Sequence, residues 1–133
     1  PALTRTMLTD LAAGKPDVIV FELGDGLLGT YGVDAILNDA DIRRALTGLV
    51  LSANDPVAAW GGVKLLRERF KVDPCMVTGP ATDNQVGVDI ICQQMNVPAC
   101  NAISNPAALG DAIIDAVGLS ARAAAVSAAE SAS

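Results

Sequence analysis

The sequence contains no histidine, few aromatic residues and few charges. Without histidine, the chain lacks the commonest general base and metal ligand, so any catalysis has to use carboxylates, lysine, hydroxyls, thiols, backbone amides or a group supplied from elsewhere. Aromatic residues make up only 3% of the chain, which argues against stacking on single-stranded nucleic acid. The net charge of −6, with nine Lys and Arg scattered along the chain, provides no basic stripe for a duplex. Nucleic acid is therefore excluded as the expected partner.

Long apolar runs and paired cysteines are also missing. No uninterrupted apolar run approaches the roughly 20 residues that a membrane-spanning helix needs, and the first residues lack a basic-then-apolar signal layout. The three cysteines, Cys75, Cys92 and Cys100, form an odd set without short paired spacing, which favours reduced and buried thiols. We therefore expect a cytoplasmic protein with no membrane partner.

The apolar, alanine-rich composition indicates a domain with part of its surface covered. Apolar residues make up 51% of the 133 residues, and charged residues only 18%. A chain of this length fits one domain, which buries roughly two-thirds of its unfolded surface. So few charges predict that a second copy, or the rest of a larger parent chain, covers some of that surface. A homo-oligomer or a longer parent chain is the expected context.

Helix and strand patterns alternate along the chain. This alternation predicts a parallel sheet with right-handed crossovers and helices on both faces. The expected fold is a three-layer, Rossmann-like α/β domain with a parallel sheet of about four or five strands. It would occupy residues 1–117, followed by an Ala- and Ser-rich helical arm or tail at 118–133. The predicted strands are 17–22, 47–53, 74–78 and 97–103. The predicted helices are 4–13, 56–70, 106–117 and one that starts at the capping-box pattern 82–85, together with two short helical stretches that end at residues 37 and 46.

The most informative segment runs from Asp17 to Gly32. A nearly all-apolar, β-branched run ends in Glu22 and opens at once into a glycine-rich turn that carries Asp25. In α/β proteins, ligands bind at the edge where parallel strands end. The loops that follow three of the predicted strands are therefore expected to become neighbours at this edge. Their candidate ligand-binding residues are Gly24, Asp25, Gly26, Asn54, Thr78, Gly79, Thr82, Asp83 and Asn84, with Glu22 as a candidate metal ligand.

Each candidate also has a purely structural explanation. Helix starts at Pro56 and Asp83 would present unpaired N–H groups to an anion, but Asp55, Thr82 and Asp83 also fit plain helix caps. The glycines either bring backbone amides close to a ligand or supply positive φ angles. Glu22 closes an apolar strand, so it needs either a cation or a structural partner to offset its desolvation.

Residues 17 to 80 resemble the carboxyl-terminal part of dethiobiotin-synthetase-like and cobyrinic-acid-synthase-like P-loop proteins. The segment from Asp17 to Gly26 is similar to their apolar strand that ends in Glu and a glycine-rich turn, and Leu46 to Asn54 is similar to a later strand. The resemblance implies that Glu22 helps to hold Mg²⁺ and that Asn54 meets a nucleotide base. It therefore implies Mg²⁺ with a nucleotide as the cofactor.

The phosphate loop of that family is missing from this chain. The stretch Ala12-Ala-Gly-Lys-Pro16 lacks the required spacing, and its proline forbids the helix that should follow. The resemblance therefore implies a P-loop-like protein without the phosphate loop, which does not hydrolyse ATP by itself. It would be either the carboxyl-terminal portion of a longer parent or a relic domain.

Two classes of function fit these observations. The first is the binding of a small anionic ligand (a nucleotide, a phosphate or a carboxylate) by a domain that is part of, or partner to, a larger enzyme. The second is a non-catalytic regulatory or oligomerisation module, because Thr78 to Asn84 is similar to a segment of the small regulatory α/β domains attached to phosphotransacetylases. Whether the chain is itself an enzyme stays open, since no complete nucleophile motif is present.

Overall fold

The computed structural model of the chain describes residues 1–119. Contacts divide the chain into two compact units: Pro1–Leu46 forms the first, and the second begins at Thr47. Most of the Ala- and Ser-rich stretch that the sequence predicts as a helical arm or tail lies outside the described residues. None of the helices within residues 1–119 has both the length and the apolar character needed to cross a membrane.

The first unit contains three helices, and a long irregular segment separates the first helix from the other two. The helices are α1 (Ala2–Ala13), α2 (Val33–Asn38) and α3 (Ala40–Ala45), each at a place where the sequence predicts one. Val33 and Leu37 on α2 are buried. Helical spacing therefore located these helices, and only α3 has a side-chain cap at its start.

The predicted strand at 17–22 is absent from the structure, and the segment is irregular. Two of its apolar side chains are exposed to solvent, Val18 to 50% and Val20 to 89%. A β-branched run forms a strand only where it can pair with a neighbouring strand and bury one face, because β-propensity mainly reflects packing on a pleated surface. The loop that starts at Glu22 therefore does not follow a strand.

Asp39 joins α1 to the start of α3. Its Oδ1 accepts backbone hydrogen bonds from Asp41 N and Ile42 N at 3.0 and 3.2 Å, which makes it the N-cap of α3. Its Oδ2 accepts a hydrogen bond from Arg5 Nε at 2.9 Å. The hydrogen bond from Arg5 is the main cause that holds the pKa of Asp39 below its usual value; burial opposes it, and the two backbone donors act in the same direction as Arg5.

This lowered pKa predicts an acid-sensitive contribution to stability. Because the folded-state pKa of Asp39 lies below the unfolded value of about 3.9, its contribution is present above that value and is lost as the pH falls through the folded pKa. We expect Arg5→Gln to raise the pKa of Asp39 toward its ordinary value, measured by carboxyl-carbon NMR titration, and Asp39→Asn to remove this part of the acid dependence in urea unfolding. An Asp39 titration that is unchanged in Arg5→Gln would contradict this account.

The second unit is built around two short parallel strands. β1 (Val50–Ser52) pairs with β2 (Met76–Thr78), and the register places Ser52 beside Thr78. The helices are α4 (Pro56–Leu65), α5 (Gln85–Met95) and α6 (Pro106–Ala116), with a π-helical segment at Leu66–Phe70 and a 3₁₀ turn at Pro80–Thr82.

The prediction of a three-layer, Rossmann-like α/β sheet of about four or five strands is wrong. Within residues 1–119 the sheet consists of β1 and β2 alone, and most of the ordered elements are helices. The predicted strand at 97–103 makes a single parallel bridge, between Val77 and Ala99. Pro98 has no N–H to donate to a ladder, and the side chain of Asn101 accepts the backbone hydrogen bonds of a turn that follows at once.

The core of the second unit includes residues from β2, α4 and α5. Phe70, Leu66, Ile91 and Val77 are the largest fully buried side chains. The main apolar cluster consists of Ala53, Ala59, Val63, Val77, Ala81, Ile91, Met95 and Val97, with Leu51 and Ala99 packed against it.

The burial of the three cysteines agrees only in part with the sequence prediction. Cys75 and Cys100 are half-buried, whereas Cys92 is exposed on α5. The expectation that all three cysteines are buried is therefore wrong for Cys92.

Candidate functional site

The carboxyl ends of β1 and β2 lead into two loops that contact each other directly. Ala53 N donates to Thr78 O at 3.0 Å, and Ala81 N donates to Ala53 O at 2.9 Å. The loop after β1 leads into α4, and the loop after β2 leads through the 3₁₀ turn into α5. Two strand ends and two helix starts therefore lie together, and we take this end of the second unit as the candidate site.

Thr78 has the only buried side-chain oxygen or nitrogen that lacks a hydrogen-bond partner in residues 1–119. The residue is 9% exposed and ends β2. Paired residues of neighbouring strands share a face, so its side chain lies on the same side of the sheet as the exposed side chain of Ser52. Burying an unpaired hydroxyl costs about 1–3 kcal/mol, so this oxygen needs a functional or structural explanation.

Gly79 allows the chain to pass close to β1 immediately after Thr78. Its φ of 89° and ψ of −169° belong to a region that side chains rarely adopt. A Cβ atom at this position would lie 2.7 Å from Ser52 Oγ and 2.8 Å from Ala53 O. The glycine is therefore required by both the backbone angle and the space.

The helix starts at the site carry their own caps. Asp55 Oδ1 accepts a hydrogen bond from Ala58 N at 2.8 Å, as the sequence predicts for the start of α4. At α5 the cap is Asn84, whose Oδ1 accepts from Gly87 N at 3.0 Å, so the capping-box reading that placed the helix start at Thr82 is wrong. The side chain of Asn84, a candidate ligand-binding residue, is therefore already engaged in the fold.

Thr82 and Asp83 also have partners within the protein. Thr82 Oγ1 donates to Gly79 O at 2.7 Å and is buried within the 3₁₀ turn. Asp83 Oδ1 accepts a hydrogen bond from Asn101 Nδ2 at 2.9 Å. Asn54 is an exposed residue and lies immediately before Asp55, the N-cap of α4.

Asn101 is a residue of the site that the sequence reasoning missed. It is 9% exposed, and its Nδ2 also lies 3.4 Å from Thr82 Oγ1. Its Oδ1 accepts from Ile103 N and Ser104 N at 2.9 and 2.8 Å. This one side chain therefore fixes the turn after the bridge at Ala99 and fastens it to the loop after β2. An Asn side-chain oxygen that accepts from the backbone N–H two residues later forms an Asx turn. Asn is one of the residues that favour turns, and this preference could have identified the turn.

The glycine-rich loop of the first unit holds the other sequence candidates. Glu22, Gly24 and Gly26 are exposed. Asp25 Oδ2 accepts a hydrogen bond from Tyr31 N at 3.2 Å, and its carboxylate lies directly against Gly29. Asp25 therefore organises its own loop in this structure.

No group of three or more Cys, Asp or Glu side chains within residues 1–119 is arranged to hold a metal ion. No family model, curated protein or solved structure matches the chain.

Proposed function

We propose that the second unit binds a small phosphorylated or carboxylated molecule, such as a nucleotide, at the carboxyl end of β1 and β2, as part of or partner to a larger enzyme. The observation that carries the proposal is the buried, unpartnered hydroxyl of Thr78. A ligand oxygen that accepts a hydrogen bond from this hydroxyl offsets the cost of burying it. The starts of α4 and α5 add the positive ends of two helix dipoles.

Mg²⁺ is part of the proposal where the ligand is a nucleotide, as the resemblance to P-loop proteins suggests. Asp55 and Asp83 each have one carboxylate oxygen in a hydrogen bond within the fold. Mg²⁺ is commonly held by one or two carboxylates together with the phosphates of its ligand, so a larger set of protein ligands is not needed. In the first unit, Glu22 stays the candidate metal ligand that the same resemblance implies.

Thermal unfolding with ATP and Mg²⁺, acetyl phosphate or succinate tests this function. A ligand at about a hundred times its dissociation constant stabilises the folded state by about 2.7 kcal/mol. We expect Thr78→Val to abolish the ligand-induced shift. Without ligand, the same change should raise the free energy of unfolding by about 1–3 kcal/mol, because a buried unpaired hydroxyl is removed from a side chain of the same shape.

Thr78→Ser is the matched control, because it keeps the hydroxyl and removes only a methyl group. It should keep the ligand-induced shift while losing about 1 kcal/mol of stability. A shift that survives in Thr78→Val, or the absence of a shift with every ligand, would refute the proposed site.

Exposed apolar side chains in the first unit favour a second candidate, the non-catalytic regulatory or oligomerisation module. Val20, Leu28 and Tyr31 are 89%, 78% and 86% exposed. A contact with another chain that covered these side chains would remove exposed apolar surface from water. A dimer or larger assembly in light scattering, together with no ligand-induced shift, would support this candidate in place of the first.

A further inference from the structure

Three polar side chains lie in a row across the carboxyl end of the sheet. The ladder pairs Ser52 of β1 with Thr78 of β2. On the other side of β2, a parallel bridge joins Val77 to Ala99, and Cys100 N donates to Val77 O at 3.1 Å. This register places Cys100 beside Thr78. We call Ser52, Thr78 and Cys100, in this order across the sheet, the polar row.

The members of the polar row share one face of the sheet. Each follows directly after a residue that packs in or against the apolar core: Leu51, Val77 and Ala99. Side chains alternate between the two faces along a strand, so the polar row lies on the face opposite to these core residues. Neighbouring strands are about 4.8 Å apart, so both outer members of the row are direct neighbours of Thr78.

The middle of the polar row carries the unpartnered hydroxyl. Thr78 Oγ1 is buried, and neither the hydroxyl of Ser52 nor the thiol of Cys100 bonds to it. Cys100 Sγ instead makes two long contacts, at 4.0 Å to Asn101 O and at 3.8 Å to Asn105 O. A ligand atom that reaches Thr78 Oγ1 therefore has another polar side chain on each side of it.

The chemistry of the polar row favours a ligand group with several acceptor oxygens. Its members are uncharged and can donate hydrogen bonds through two hydroxyls and a thiol, which is the weakest donor of the three. A phosphoryl or carboxylate group has more than one oxygen to accept them. Ser52 is exposed and Cys100 is half-buried, so such a group would cover surface of both when it bonds to Thr78.

We propose that Cys100 is a contact residue of the ligand site, where its thiol lies against the phosphoryl or carboxylate group that bonds to Thr78. The inference rests on the proposed function, and it assigns the ligand of that site to the face of the sheet that carries the polar row. Ser52 supplies the hydroxyl on the other side of the bound group. Ligand binding and chemical modification of Cys100 then exclude each other.

Alkylation of the thiols with N-ethylmaleimide, followed for each cysteine by peptide mass spectrometry, tests this contact. ATP with Mg²⁺, acetyl phosphate and succinate are compared, and the one that shifts thermal unfolding is expected to protect Cys100. Its alkylation should slow by about tenfold or more, because a ligand at about a hundred times its dissociation constant leaves only about 1% of the site free.

Cys75 is the matched internal control, because it is half-buried like Cys100 but lies immediately before β2, at the other end of the strand. Its alkylation should slow by less than about twofold if ligand binding covers Cys100 directly, whereas a ligand that acts by suppressing opening of the fold would protect both thiols. The exposed thiol of Cys92 reports the reactivity of the reagent.

The reverse experiment starts from alkylated protein. Complete modification with N-ethylmaleimide should abolish the ligand-induced shift in thermal unfolding. Cys100→Ala treated in the same way should keep the shift, because only Cys75 and Cys92 remain to be modified. Before treatment, Cys100→Ala should bind the ligand within about threefold of the unmodified chain, since only a weak donor is lost.

Failure of this contact can be told apart from failure of the proposed function. A ligand-induced shift that Thr78→Val abolishes, without selective protection of Cys100, would overturn the contact and leave the proposed function standing. Equal protection of Cys75 and Cys100, or loss of the shift in alkylated Cys100→Ala, would also overturn the contact alone. No shift with any of the three ligands would overturn both.

Discussion

Replacing Gly79 with alanine is expected to lower the free energy of unfolding of the second unit by about 2–6 kcal/mol. A φ of 89° with a ψ of −169° costs a side-chain-bearing residue about 1–3 kcal/mol, and overpacking costs a similar amount. The overpacking cannot be relieved by moving a flexible side chain alone, because the new Cβ would lie 2.8 Å from Ala53 O and 3.0 Å from Ala53 N. Typical domains have only about 5–15 kcal/mol of stability, so the variant should melt far below the unmodified chain.

Gly61→Ala is the control for this change. Gly61 lies within α4, and a Cβ atom there would meet no described atom within 4 Å. Alanine at this exposed helical position should raise the free energy of unfolding by about 0.5–1 kcal/mol, since glycine is the poorer helix former. If urea unfolding gave the two variants similar stabilities, the close approach of Gly79 to β1 would be refuted.

Asn101→Ala is expected to lower the free energy of unfolding by about 2–4 kcal/mol. The change leaves Ile103 N and Ser104 N without their acceptor, and it removes the donor to Asp83. Each hydrogen bond contributes about 0.5–1.5 kcal/mol net, and the three bonds are lost together. Because the same side chain fastens the loop after β2, the ligand-induced shift proposed above should shrink as well.

Two variants separate the role of the Asn101 side chain from general disturbance of the loop. Asn101→Asp keeps the acceptor for the turn but places a second carboxylate against Asp83, so it should be destabilised at neutral pH. Ser104→Ala keeps the backbone N–H of the turn and should change the free energy of unfolding by less than about 0.5 kcal/mol. A Ser104→Ala variant as unstable as Asn101→Ala would contradict the assignment of these hydrogen bonds.

The helices of this protein could be predicted from the sequence because their signals are local. Asp39 and Asp55 cap helices that begin one residue later, and Pro56 and Pro106 occupy first helical positions where their fixed φ suits the helix. The sheet could not be predicted in the same way. A strand has to pair with another strand that is distant in the chain, and the residues before Glu22 do not indicate whether such a strand is present.

The candidate site could be predicted only in part, for the same reason. Thr78 and Gly79 were identified because they follow an apolar run, which does form β2. The capping pattern at Thr82 placed the start of α5 two residues too early, because Thr82 bonds to Gly79 within a 3₁₀ turn and Asn84 takes the cap. The local turn of Asn101 had a signal in the sequence, but its link to the loop after β2 had none, because its partner Asp83 lies 18 positions earlier in the chain.

The open apolar run ahead of Glu22 has a consequence for the solution behaviour of the protein. Six-residue segments that are β-branched, free of proline and exposed are the segments that stack into cross-β aggregates. Asp17 and Glu22 lie at the two ends of this run, where like charges on neighbouring chains would oppose in-register stacking. We therefore expect these two carboxylates to oppose aggregation of the four-residue apolar run between them, an effect of Glu22 that requires no metal ion.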